Sequence, residues 1–120
     1  MKILVIEDDY AVRETLCSLL NFNGFSSISS ANGAEAIHYL ERCRQEQKPY
    51  PKLIILDLNM PIMDGHEFLS LKKGKNWKDI PLLIMSAQED LDPEIGLHIK
   101  KPFEIQILLN NIENLLQIKK

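Results

Sequence analysis

The sequence predicts an α/β fold in which a mostly parallel sheet is covered by helices on both faces. Three observations carry that expectation. The runs Ile3-Leu4-Val5-Ile6, Leu53-Ile54-Ile55-Leu56 and Leu82-Leu83-Ile84-Met85 are apolar without alternation, as in strands buried on both sides. These runs alternate with amphipathic stretches in the order strand, helix, strand, helix. Each run also ends in polar residues, Glu7-Asp8-Asp9, Asp57 and Ser86-Ala87, and in open α/β sheets ligands bind at the carboxyl ends of the strands.

Taken in order, a strand is expected near residues 2–6 and a helix near 10–21, with Asp9 as its surface cap. The stripe Val12, Leu16, Leu19 and Leu20 faces the core, and Asn23-Gly24 supplies the turn that ends the helix. A strand near 26–30 leads to a helix near 34–47, opened by Gly33, with Ile37 and Leu40 inward. Pro49-Tyr50-Pro51 breaks the chain before a strand near 52–56. Asp64 caps a helix near 65–74, and strands follow near 82–85 and 97–100. The last helix, near 104–118, carries the core-facing stripe Ile105, Leu108, Leu109, Ile112, Leu115 and Leu116. Trp77 and the methionines at 60, 63 and 85 read as packing.

At 120 residues the chain is expected to be a single domain, 1–120, with no output domain. A composition of 45% hydrophobic and 26% charged residues is that of a globular protein, and no apolar stretch is long enough to cross a bilayer. The first strand begins at once, without room for a signal peptide, so a cytoplasmic location is expected. Cys17 and Cys43 lack the spacing of a redox or zinc site and read as reduced thiols. A net charge of -3 argues against nonspecific nucleic-acid binding. Lys72-Lys73-Gly74-Lys75 and Lys119-Lys120 read as solvated helix ends.

The rim supports one kind of chemistry well. Glu7, Asp8 and Asp57 would crowd like charges, raising a pKa unless a cation intervenes. Magnesium suits such a site, with the Asn59 carbonyl as a further ligand. Lys101, just past the last strand, brings a second positive charge, and Ser86 a hydroxyl. Asp57 is then a candidate nucleophile toward phosphorus, with Lys101 and the metal neutralising phosphoryl oxygens. Each residue also has a plainer reading: Asp8 or Asp9 as a helix cap, Asp57 as a turn residue, Ser86 as a loop partner, His98 as a structural histidine. Their joint placement at strand ends favours the chemical reading, because caps alone need no lysine.

These motifs resemble the receiver domain of two-component response regulators over nearly the whole chain. Glu7-Asp8 resembles the acidic pair, Asp57 the phosphoacceptor, Asn59 the residue whose carbonyl meets the metal, Ser86-Ala87 the Thr/Ser-Ala pair and Lys101-Pro102 the Lys-Pro pair. The resemblance implies a flavodoxin-like, doubly wound five-stranded sheet in the order 2-1-3-4-5. It further implies magnesium at Glu7, Asp8, Asp57 and Asn59, and transfer of phosphate to Asp57 from a histidine kinase or phosphotransfer protein. A cis peptide before Pro102, a switch role for His98 and tuning of phosphate lifetime by Asn59 and Gln88 follow from it in the same way.

Two spacings depart from the family pattern. Only 15 positions separate Ser86 from Lys101, so the fourth helix is expected to be shortened or absent, with Asp92-Pro93-Glu94-Ile95-Gly96 giving at most one turn. The 24 positions from Gly33 to Asp57 are more than the family needs, and the surplus falls near Gln45 to Pro51 as a longer helix or loop. The leading reading is a stand-alone phosphoacceptor that acts on an unknown protein target, assisting its own phosphorylation and dephosphorylation without being an enzyme. The alternative is a receiver-like interaction module that does not switch. An aspartate-nucleophile phosphatase would want a second carboxylate where Asn59 stands, and a flavin carrier would be repelled by Glu7-Asp8-Asp9.

Overall fold

The structure, a computed structural model, describes residues 2–58, 68, 77, 79–86, 97–101 and 104–116. Strands β1 (Lys2–Ile6), β2 (Ser26–Ser30), β3 (Leu53–Asp57), β4 (Leu82–Ser86) and β5 (Leu97–Lys100) form one sheet in the order β2-β1-β3-β4-β5. Every neighbouring pair is parallel. The chain steps from β1 outward to β2, then returns past β1 to β3, so the winding reverses between β1 and β3. A crevice opens at such a reversal, at the carboxyl ends of the strands.

Helices α1 (Tyr10–Phe22), α2 (Gly33–Gln45) and α3 (Ile105–Leu116) accompany the sheet. Alternation along the strands divides the core in two. Leu4, Ile6, Ile54, Leu56 and Ile84 pack with Ala36 and Leu40 of α2, and with Phe68 and Trp77. Ile3, Val5, Ile55, Leu83 and Met85 pack on the other face against Leu16 and Leu20 of α1 and Leu108 and Ile112 of α3. This double burial is why β3 and β4 read as unbroken apolar runs. Tyr50 meets the Trp77 ring edge to face, with centroids 6.2 Å apart and planes at 74°, and Cys17 and Cys43 are free thiols.

Local chemistry sets the helix ends. Asp9 caps α1, its carboxylate accepting from the Val12 N–H at 3.0 Å. Asp9→Ala should therefore lower stability by about 1 kcal/mol in a urea titration; an unchanged midpoint would remove the cap from the account of why α1 starts here. At the other end Gly24 holds φ 90°, a left-handed conformation that closes the helix. Asn32 caps α2 by accepting from the Glu35 N–H at 2.9 Å, one residue ahead of the glycine expected to open it.

Three expectations are corrected. α2 stops at Gln45 and not near 47, because Gln47 turns left-handed at φ 54° and the Lys48 N–H reaches back to the Cys43 carbonyl at 2.9 Å. The surplus before β3 is thus a loop at the amino end of the sheet. Asp57 and Ser86 are the last residues of their strands, not the first beyond them. Val12 and Ile105, assigned to the core, are 37% and 49% exposed. Both lie in the first turns of their helices, α1 and α3. With Ala11, Thr15, Leu16 and Leu19 they line an open apolar groove of about 320 Å³.

Several expectations lie outside the described residues: the Asp64 cap and most of the 65–74 helix, Met60 and Met63, Asn59 and Gln88, the shortened helix at Asp92–Gly96, the Pro102 peptide bond and both lysine clusters. Phe68, within the expected 65–74 helix, is helical and buried.

Candidate functional site

The sheet register explains why polar residues distant in sequence meet. Ile6 pairs with Leu56, so Glu7, just past β1, and Asp57, the last residue of β3, come next on the two neighbouring segments. Asp57 pairs with Met85, placing Ser86 one step beyond it, and Ser86 pairs with Lys100, placing Lys101 next. The Lys101 N–H extends this ladder to the Ser86 carbonyl at 2.9 Å. Asp57, Ser86 and Lys101 therefore inherit their positions from the backbone of a rigid sheet rather than from a loop.

Glu7 and Asp57 are buried to 2% exposure, whereas Asp8 is exposed. The Lys101 Nζ lies 3.1 Å from Asp57 Oδ1 and 3.9 Å from Glu7 Oε2, so one ammonium faces two buried carboxylates. Glu7 is held at three points. Its N–H donates to the Ser30 carbonyl at 3.1 Å, its carbonyl accepts from Arg13 Nη1 at 2.8 Å, and its Oε1 accepts from the Asp9 N–H at 3.2 Å. Among the described residues its Oε2 is buried without a hydrogen-bond partner.

Burial pushes the Glu7 carboxyl up from 4.5 to about 7, and the Asp57 charge adds to the rise, while the Asp9 N–H and the Lys101 ammonium oppose it. Glu7 titrates near 4.5 in the unfolded chain and near 7 in the fold. Across that window the fold keeps a proton that the unfolded chain releases, so stability falls as pH rises through it. Urea unfolding without divalent ions should show the wild type losing on the order of 2 kcal/mol between about pH 5 and about pH 8 relative to Glu7→Gln. Parallel pH profiles for the two proteins would show that Glu7 carries no such strain.

Carboxylate oxygens of Glu7, Asp8 and Asp57 all lie within 4.8 Å of one another, a spacing that a single cation can span. The buried Glu7 Oε2 has no hydrogen-bond partner among the described residues and faces the Lys101 ammonium at 3.9 Å. The donor set is all oxygen, which suits a hard divalent ion. Among the described residues, no helix is long and apolar enough to cross a membrane.

The amino-acid sequence matches the family model described as the response regulator receiver domain over residues 3–113. The chain belongs to the response regulator receiver family. Response regulator MprA of Mycobacterium leprae is 34% identical to this receiver over 124 residues, covering 98% of the receiver and 51% of MprA. The chain thus spans about half the length of that relative. Sporulation initiation phosphotransferase F of Bacillus subtilis is 32% identical over 125 residues, with 98% of this receiver and 95% of that protein covered. The solved structure of response regulator TrrA from Thermotoga maritima, in complex with Mg2+-BeF, is 26% identical and superposes with a TM-score of 0.80, covering 95% of this receiver and 97% of that chain.

The receiver's expected site residues that are described gather at one rim, apart from His98, which lies two residues before Lys100 on β5 and pairs with Ile84. Period-two alternation puts His98 on the same face of the sheet as Lys100 and its partner Ser86. The His98 Nε2 is buried without a hydrogen-bond partner among the described residues. Sequence reasoning overlooked Arg13 and Tyr10, whose guanidinium and ring lie 5.5 Å apart. Their three-residue spacing on a predicted helix was the available signal.

Proposed function

We propose that this receiver is a phosphoacceptor in His-Asp signalling, taking phosphate from a histidine kinase or phosphotransfer protein onto Asp57 and presenting a changed surface to a protein target. The observation that carries the reading is Lys101 Nζ at 3.1 Å from a buried Asp57 oxygen, beside two further carboxylates that fit a divalent ion.

Glu7, Asp8 and Asp57 would hold magnesium, with the Asn59 carbonyl as the further ligand. When bound, the ion supplies positive charge to the carboxylates and to the oxygens of the incoming phosphoryl group. A carboxylate oxygen of Asp57 forms a bond to phosphorus as the phosphorus–nitrogen bond of the donor breaks, and the electron pair leaves with the imidazole. Lys101 neutralises the charge gathering on the phosphoryl oxygens, and the Ser86 hydroxyl donates to one of them. Little else is asked of the protein than to hold these groups in place, which strand ends do well.

His98, on the same face as Ser86, is the candidate switch, and Asn59 and Gln88 are the candidates for tuning hydrolysis. The receiver in this reading assists its own phosphorylation and dephosphorylation and does not turn over a separate substrate. A cytoplasmic site of action fits a kinase partner. The apolar groove at Val12 and Ile105, beside the rim, offers the phosphodonor protein a surface to rest on. The test is to incubate the protein with magnesium and acetyl phosphate and record its intact mass. A gain of one phosphate that requires magnesium is expected; no gain with either acetyl phosphate or a cognate kinase would leave an interaction module that does not switch.

A further inference from the structure

Arg13 has no role in the chemistry above, yet its side chain makes a specific contact with the acidic loop. Its own N–H begins the α1 ladder by donating to the Asp9 carbonyl at 2.9 Å. Its side chain turns back along the helix, the direction helical side chains favour. There Nη1 donates to the Glu7 main-chain carbonyl, six positions earlier, at 2.8 Å. The guanidinium also lies over the Tyr10 ring, its carbon 5.5 Å from the centroid.

That carbonyl belongs to the peptide joining Glu7 to Asp8. β1 ends at Ile6 and the Glu7 N–H makes the last ladder bond, to the Ser30 carbonyl at 3.1 Å, so this peptide is the first beyond the ladder. Its orientation governs the direction of both side chains, Glu7 before it and Asp8 after it. Glu7 has two further anchors, the Ser30 carbonyl and the Asp9 N–H, and the exposed Asp8 shares the same peptide. A planar guanidinium can donate in its plane while stacking on a ring, which a lysine ammonium does less well.

We propose that Arg13, steadied by Tyr10, is a positioning residue for the metal-binding carboxylates: it locks the Glu7–Asp8 peptide so that Glu7 and Asp8 converge on Asp57. The inference rests on the phosphoacceptor reading of the site. Groups that orient metal ligands from behind change affinity by about 10–100-fold when removed, and a residue that only orients them should be dispensable once metal saturates.

The experiment is a magnesium titration of wild type and Arg13→Ala with two readouts. One is the rise in thermal unfolding midpoint with magnesium, which reports binding alone. The other is the initial rate of phosphorylation by acetyl phosphate at each magnesium concentration. Arg13→Ala should shift the magnesium dependence of the midpoint to about tenfold higher concentration and raise the half-saturating magnesium of the rate about tenfold, with the rate at saturating magnesium kept within about twofold. A merely structural role would lower the metal-free midpoint and leave half-saturation where it was. Wild-type half-saturation in Arg13→Ala, or a loss of rate that saturating magnesium does not recover, overturns the proposal. Should Arg13→Ala fail to fold, Arg13→Lys takes its place: an intermediate half-saturation is expected, and a wild-type value overturns. If the wild type itself neither binds magnesium nor takes up phosphate, the phosphoacceptor reading fails; a working wild type beside an unaltered variant defeats the positioning role alone.

Discussion

Asp57→Asn is expected to abolish acid-labile phosphate incorporation while leaving a folded protein. The amide matches the carboxylate in shape, so the packing at the end of β3 survives. What disappears is the anionic oxygen that lies 3.1 Å from the Lys101 ammonium and would bond to phosphorus. A neutral amide is a far weaker nucleophile. The variant carries a second signature. The Asp57 charge is one of the causes that raise Glu7 to about 7, so removing it should let Glu7 fall back toward its ordinary value and lessen the pH dependence of metal-free stability. Stability without metal should rise by on the order of 1 kcal/mol, since a repulsion among buried carboxylates is relieved. Intact mass after acetyl phosphate treatment, with urea unfolding beside it, checks both. Undiminished labelling in the variant would move the phosphoacceptor elsewhere.

The division between what the chain discloses and what it conceals follows from how far each feature depends on neighbours. β1, β3 and β4 were legible because they are covered on both faces, and such burial leaves an unbroken apolar run. The polar residues that end those runs marked the rim. Val12 and Ile105 were misplaced for a related reason: helical periodicity shows which face of a helix is apolar, not how much of that face is covered. The left-handed Gln47 that ends α2 early carries no composition signal, unlike the glycine at the end of α1. Arg13 illustrates the limit at the site. Its identity and its offset from Tyr10 are in the sequence, but its contact with the Glu7 carbonyl exists only because β1 stops one residue earlier and α1 turns the side chain back. The register that sets Asp57 beside Met85, and hence Ser86 and Lys101 beside Asp57, is a property of strand pairing that no single segment records.

Lys101→Ala is expected to separate two tasks that the ammonium combines. In the metal-free protein it is the cation facing Asp57 at 3.1 Å and Glu7 at 3.9 Å. Removing one partner of a buried charge group leaves the other uncompensated and is strongly destabilising. Lys101 is 32% exposed, so water softens the loss, and about 1–3 kcal/mol above neutral pH is the expected size. Lys101 also holds Glu7 down, so in its absence the Glu7 carboxyl should rise above about 7 and the loss of stability with pH should extend further into the alkaline range. Magnesium should restore most of that stability, since a divalent ion answers the same carboxylates. It should not restore the rate. In the proposed reaction Lys101 neutralises the charge that develops on the transferring phosphoryl group, and losing one such group costs roughly 10²–10³-fold. Urea unfolding with and without magnesium, set against phosphorylation rates at saturating magnesium, distinguishes the two tasks. Recovery of both stability and rate would mean that the ammonium only holds the empty site together; recovery of stability alone would place it on the phosphoryl group.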